Sequence, residues 1–574
     1  MIKGTTAVFR AARDLLLDLR EDHDAAVERF RWPRFEHFNW ALDWFDVTAH
    51  EHEDRLALLV DTDEGSTVGV TYAELARRSD QVANWLRSVG VQRGSRMIVM
   101  LDNQQELWET LLAGMKLGAV IVPTYTTVSA PDLADRVARA GVSHLVTTAA
   151  VASRIGPAHS DLTRIAVGPE QPDWLPYSMS AAAPREFTPD APTRAEELLF
   201  LYFTSGTTAK PKMVAHTHLS YPVGHLSGMY LNGLRPGDRH LNISAPGWAK
   251  HAWSSFFVPF TAEATLIALD AERHPPASIL SALSRHAATT CCAPPTTWRA
   301  LIQEDLKDRP VALREAVSVG EPLSPEVIEQ VQKAWGITVR DGYGQTETTA
   351  QIGNTPGLPV RLGAMGRALP GYRITLVDRT SGEPSLEGEI CVDLTQAPAG
   401  MMTGYLGDEE RTVNAFADAL YHTGDLASRD ADGYITYIGR LDDVFKSSGH
   451  RISPFELENV LAEHPEVAEA AVVGVPGPSG ALVPKAYVTL VAGSEPTAAA
   501  ARSILAHAAD RLAPHQRIIR LEFRALPKTT SGKIRRADLR GAPPTAGMDF
   551  SVGEVLTEGQ NQGEGMCSGS SSNS

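Results

Sequence analysis

Up to about Asn414, short apolar runs such as MIVML (Met97 to Leu101), HLVTT (His144 to Thr148) and TLIAL (Thr265 to Leu269) alternate with amphipathic helical segments. That alternation is the pattern of βαβ units and parallel sheets. One helix is well marked: Thr71 caps it, Glu74 closes the capping box, Leu75, Val82 and Leu86 share a face, and Gly90 ends it. Another begins at Ser324 with Pro325 in its first turn and stops near Gly336. Beyond Asn414 the rhythm changes to short antiparallel strands, YHTGDLASRDADGYITYIGRLDD, turning at Asp432-Gly433. A small α+β domain follows, its first helix announced by SPFE with Ser453 as cap, Pro454 in the first turn and Glu456 completing the box. From about Gly541 apolar periodicity is lost, and a disordered tail is expected.

At 574 residues the chain is too long for one ordinary core, so two or more domains are expected. Hydrophobic content of 43% fits a soluble globular protein, and neither a membrane span nor a secretory leader is read from the sequence. The four cysteines, Cys291, Cys292, Cys391 and Cys567, show no metal-ligand spacing, which points to a reducing cytoplasm. A formal net charge of −16 argues against a nucleic-acid partner. Any anionic ligand must be gripped by local groups.

Four segments offer such groups. YFTSGTTAKPK (Tyr202 to Lys212) is no Walker loop, because Pro211 rather than glycine precedes the lysine. It still follows the strand-like LLFLYF, and Thr204, Ser205, Gly206, Thr207 and Thr208 offer amide and hydroxyl donors with little bulk beside Lys212. GYGQTE follows the strand-like ITVRD: Tyr343 can stack on a base, Thr346 can bond a phosphate oxygen, and Glu347 can hold Mg²⁺. In YHTGDL and GRLDD, Asp425 suits a ribose diol and Arg440 a phosphate or sugar edge. PKTTSGKIRR holds Lys533 on a loop of small residues. Taken singly, each also has a bland reading, as a polar turn, a hairpin with a surface ion pair or a solvated charged face.

Taken together and in this order, YFTSGTTAKPK, GYGQTE, YHTGDL with GRLDDVFKSSGHR, and PKTTSGKIRR resemble the adenylate-forming superfamily of acyl-CoA synthetases, luciferases and peptide-synthetase adenylation domains. The resemblance runs from about Phe38 to Leu539. It implies an α/β fold: a large N-terminal domain with two βαβ-type sheets and a small β-barrel-like subdomain (1–439), a hinge (440–442), a small mobile α+β domain (443–541) and a tail (542–574). It also implies an acyl-CoA synthetase with ATP, CoA and a carboxylic acid as substrates and Mg²⁺ as cofactor. Lys533 would bridge carboxylate and α-phosphate. Thr346 would bind phosphate and Glu347 Mg²⁺, while Thr204 to Thr208 and Lys212 grip the phosphates. Gly320, Glu321, Pro322, Gly342 and Tyr343 would line adenine, with Asp425 and Arg440 on the sugar side. Asp442 falls at the hinge, and Ser448, Gly449, His450 and Arg451 would form a CoA wall once the small domain has turned. Ala209 stands where relatives commonly have glycine, which stiffens the loop without removing a liganding group.

For the acid, Gly344 stands where acetyl-CoA synthetases carry tryptophan, so the expected pocket is larger than acetate needs. Trp248, His251 and Val319 match its other walls, and the neighbouring stretches resemble medium-chain and aromatic acid:CoA ligases. A carrier-protein pantetheine as thiol acceptor and a non-catalytic nucleotide sensor stand as alternatives, and the choice between monomer and homodimer stays open.

Overall fold

The apolar runs become strands, and many segments between them cross over as helices. The computed structural model describes residues 4–61, 66–156, 158–204, 211–269, 275–308, 310–447, 450–477, 482–528, 534–545 and 548–552. The chain divides into two compact units, one of Met1–Thr375, Cys391–His422 and Arg429–Thr436, the other of Leu376–Ile390, Thr423–Ser428 and the residues from Tyr437 onward. Every crossing point lies in one of four strands, Ile374–Val377, Glu387–Asp393, Leu420–Arg429 and Ile435–Arg440.

The first unit holds two large sheets. One runs, edge to edge, through Gly404–Tyr405, Lys212–Thr217, Leu198–Thr204, Val120–Pro123, Arg96–Met100, His144–Thr148, Thr163–Val167 and Leu175–Pro176. Its pairings are parallel apart from Lys212–Thr217, which runs antiparallel to both neighbours. The other has a parallel centre, with Arg239–Asn242, Thr265–Ala268, Thr290–Ala293, Glu315–Val319 and Val339–Gln345, and antiparallel strands at both edges. Purely apolar strands fit burial on both faces, and Ile98, Leu145, Leu241 and Val339 are each fully buried.

The helix signals are made as expected at two of three places. Thr71 Oγ1 accepts from Glu74 N at 3.1 Å while Glu74 Oε2 accepts from Thr71 N at 2.9 Å, opening the helix Tyr72–Ser88. The helix Pro325–Trp335 ends at Gly336 with φ +69. At Pro454–Ala462, Ser453 caps Glu456 N, but the Glu456 carboxylate accepts from Gln516 Nε2 at 2.8 Å instead of closing the box. A long side chain takes whichever donor the tertiary fold brings nearer.

In the second unit the helices Pro454–Ala462 and Ala498–Arg511 pack on a sheet ordered Val467–Pro476, Leu482–Leu490, Arg520–Phe523 and Asp549–Ser551. The last strand corrects the expectation of a structureless tail from 542 on. Phe550 packs against the core, and Asp549 Oδ2 accepts from the buried Lys485 at 3.0 Å, beside Glu522 Oε2 at 2.6 Å. A three-residue strand with one aromatic is too short to announce itself by periodicity.

Candidate active site

In the first unit the loop motifs emerge from strand ends. Thr204 closes its strand opposite Lys212, the first residue of the return strand. Ser205, Gly206, Thr207 and Thr208 lie outside the described residues. Lys212 Nζ sits 4.9 Å from the centre of the Tyr405 ring, and the Tyr405 hydroxyl donates to Glu347 Oε1 at 3.0 Å. Burial and the adjoining carboxylate push the Tyr405 phenol well up, so it remains a donor. Lys212 and Glu347 are therefore brought to the same ring although 135 positions separate them in the chain (347 − 212).

The turn carrying Thr346 and Glu347 is held from several sides. Tyr421 donates to Gln345 Oε1 at 2.9 Å, Gln345 N donates to Thr348 Oγ1 at 3.1 Å, and Met402 N donates to Glu347 O at 2.8 Å. Beneath it lies His216. Its Nε2 is 2.7 Å from Thr346 O, a carbonyl that can only accept, so Nε2 carries the proton. Its Nδ1 is 3.1 Å from Ser220 Oγ, which already accepts from Thr217 N and so has its own proton to give. Burial lowers the ring to about 4, keeping it neutral at physiological pH. Replacing His216 by leucine strands a buried carbonyl at about 1–3 kcal/mol. The expected result is an adenylation kcat lowered roughly tenfold, with glutamine, which can return an N–H to the Nε2 position, restoring most of it; steady-state pyrophosphate exchange measures both.

The residues expected around adenine follow their strands. Val319 ends Glu315–Val319 in register with Gly342, and Gly320 follows at φ +107. Pro322 separates Glu321, whose Oε2 is 3.8 Å from Arg299 Nη2, from Leu323, whose N–H donates to Asp341 Oδ2 at 3.4 Å. Tyr343 is half-buried on the strand beside Gly342. A Cβ on Gly342 would fall 2.5 Å from Leu231 Cδ2, so glycine brings this strand close to the helix Ser220–Asn232.

Two of the acyl-wall candidates share a cavity. Trp248 and His251 line it with Val99, Leu107, Leu111 and Phe200. Trp248 stacks on Tyr125 at 5.2 Å and 8°, an approach that Gly247 permits, since a Cβ there would lie 2.4 Å from Tyr125 N. Val319 and Gly344 are not among that cavity's lining residues. Gly344 instead meets the backbone of the next strand: a Cβ would stand 2.2 Å from Thr349 O, at a register shift in the hairpin. Glycine at 344 thus has a local steric reason, apart from any space it opens.

In the second unit Arg440 Nη1 donates to Asp425 Oδ1 at 3.2 Å, and Tyr437 donates to the same oxygen at 3.3 Å. Arg440 Nε also reaches Asp442 Oδ1 at 3.4 Å, and Arg540 donates to the Asp442 carbonyl at 2.8 Å. His450 and Arg451 lie exposed on the strand His450–Ile452, with His450 stacked on His515 at 4.2 Å. Ser448, Gly449 and Lys533 lie outside the described residues.

Sequence reasoning singled out neither His216 nor Tyr405, nor Tyr421 as more than part of a motif. A tyrosine after glycine in MMTGYLG carries no local signal of its role. The pair HTH at His216 to His218, so soon after Lys212, is a signal that could have found His216.

Among the described residues no helix is long and apolar enough to cross a membrane. Residues 45–406 match the AMP-binding enzyme family, and residues 456–533 match the AMP-binding enzyme C-terminal domain. The 4-hydroxybutyrate–CoA ligase 1 of Metallosphaera sedula is 39% identical over 515 residues, 88% of this chain and 90% of that protein. The mitochondrial acyl-coenzyme A synthetase ACSM3 of Homo sapiens is 34% identical over 564 residues, covering 93% and 96%. The crystal structure of the anthranilate CoA ligase AuaEII in complex with anthranoyl-AMP superposes with a TM-score of 0.79 at 27% identity, covering 88% of this chain and 97% of that one. A whole-length match of this kind, on a fold that gathers Lys212, Thr346 and Glu347 at strand ends, leaves one assignment: the chain belongs to the AMP-binding enzyme family, among the AMP-forming acyl-CoA synthetases.

Proposed function

We propose that this chain converts a medium-chain or aromatic carboxylic acid to its CoA thioester in the cytoplasm, through an acyl-adenylate, with release of pyrophosphate and then AMP. The observation that carries the reading is the convergence of Lys212, Tyr405 and Glu347 beside a Thr346 turn fixed by His216. An anionic carboxylate and a triphosphate repel each other, so adenylation needs fixed positive charge and positioning more than covalent help. Lys212 supplies charge for the phosphates and Thr346 a hydroxyl. Glu347 Oε1 accepts from Tyr405, and the other oxygen of that carboxylate would hold Mg²⁺, which takes hard oxygen ligands. Bound there, Mg²⁺ would neutralise charge on the triphosphate.

In this reading Asp425, oriented by Arg440 and Tyr437, holds the ribose hydroxyls, and Lys533 bridges the reacting carboxylate and α-phosphate. Residues 440–442 are the hinge between a 1–439 domain and a 443–541 domain, and turning there exchanges Lys533 for Ser448, Gly449, His450 and Arg451. One set of side chains cannot serve both half-reactions. Gly449→Leu is expected to spare acid-dependent pyrophosphate exchange while stopping CoA-ester formation; equal loss of both refutes the tunnel role of Gly449.

An AMP-release assay with CoA across fatty and aromatic acids tests the whole reading. Turnover with acids of several carbons or one ring is the expected result, and a clear preference for acetate overturns the acyl assignment. Release that depends on an added pantetheinylated carrier protein, and not on CoA, would favour the carrier alternative.

A further inference from the structure

His251 lines a cavity whose other side chains are apolar or, in Trp248, donor only. It is 2% exposed, and its Nε2 lies 2.8 Å from Asn103 Oδ1. The orientation of Asn103 is fixed independently. Its Nδ2 donates to the Leu269 carbonyl at 2.7 Å, and a carbonyl cannot donate, so the amide oxygen must be the end that faces the imidazole. Asn103 Oδ1 then requires a proton on Nε2. A neutral ring carries only one such proton, which makes Nδ1 a bare acceptor. Burial lowers the ring from its ordinary 6.5 to about 3, so it is neutral through the physiological range. Among the described residues no hydrogen bond to Nδ1 is made.

Resting on the reading of Trp248 and His251 as an acyl wall, we propose that His251 Nδ1 is a selectivity element, and that the enzyme prefers carboxylic acids bearing a hydrogen-bond donor, a hydroxyl or amino group, over the same acids without one. An apolar pocket pays little attention to a missing or added carbon, whereas a buried acceptor left unpaired penalises every acid that cannot donate to it. Asn103 is a positioning residue, acting through the tautomer it imposes. The acceptor also distinguishes donors from mere polar groups: a methoxy acid, with oxygen but no proton, gains nothing.

The test measures kcat/KM by pyrophosphate exchange for families of acids sharing one skeleton: hexanoate with its hydroxy and methoxy derivatives, and benzoate with its hydroxy, amino and methoxy derivatives. In at least one family the donor-bearing acid is expected to exceed the parent by about three- to tenfold, with the methoxy acid at or below the parent. In His251→Phe that ratio falls to about one. Asn103→Asp supports an imidazolium, so the preference for donor over methoxy acid shrinks as pH falls, a trend absent in the wild type between pH 6 and 9 (roughly the range in which a histidine of depressed pKa stays neutral). Wild-type rates equal between donor-bearing acids and parents in both families overturn this proposal and leave the ligase reading intact. A donor preference that survives in His251→Phe also overturns it. Exchange with no acid at all overturns both.

Discussion

Lys533→Ala slows adenylate formation by about 10²–10³, the equivalent of roughly 3–4 kcal/mol of lost transition-state stabilisation, by comparison with removal of one oxyanion-hole donor. The loss falls on one half of the cycle. Thioester formation from a supplied acyl-adenylate is expected to proceed at close to the wild-type rate, because the proposed turn at 440–442 would already have withdrawn the amine. Single-turnover measurements, with acid and ATP in one arm and acyl-adenylate with CoA in the other, read the two halves separately. Equal slowing in both arms would mean that Lys533 supports the fold of its lobe and does not act on the reacting phosphate. Lys212 stands over Tyr405 on the return strand Lys212–Thr217 of the first unit.

Gly344→Ala produces the second large effect. The added methyl group would sit 2.2 Å from the Thr349 carbonyl oxygen, a contact with backbone that no rotamer change relieves. Overpacking of this kind costs about 1–3 kcal/mol, and the strand that must yield carries Tyr343 on one side and the Thr346–Glu347 turn on the other. Adenylation is therefore expected to fall at least roughly tenfold (1.4 kcal/mol) for every acid, with a melting temperature lowered by a few degrees (about 2–4 °C per kcal/mol for a sizeable domain). If the glycine served only to enlarge the acyl pocket, alanine would shift preference toward shorter acids at unchanged stability. Calorimetry together with an acid-length series separates these outcomes.

The framework was legible because its signals are local. Apolar runs of four to seven residues such as Leu198–Thr204 and Thr265–Ala268 form strands where expected, and the Thr71 box closes with both of its bonds. The four motifs that carry the family resemblance stand out for the same reason, each being contiguous in the chain. The groups that hold those motifs in place were not legible. Tyr405 meets Glu347 across 58 positions and His216 meets Thr346 across 130, and no period or spacing encodes such a pair. Asn103, which decides the protonated nitrogen of His251, is 148 positions away and looks from the sequence like one more polar residue after a strand. Glu456 shows the converse: a complete local signal was present, and a partner 60 positions on outcompeted it.

The strand Asp549–Ser551 lies beyond residue 533, where the match to the C-terminal family domain ends, yet it covers the side of Arg520–Phe523 that would otherwise be a sheet margin. Cutting the chain after Leu539 would strip that cover and remove one carboxylate from an ammonium group that is 3% exposed. Unpaired strand margins invite pairing with other molecules, and a buried cation that loses a counter-charge destabilises its surroundings. A shortened protein of this kind is expected to self-associate in solution even with the preceding residues unchanged.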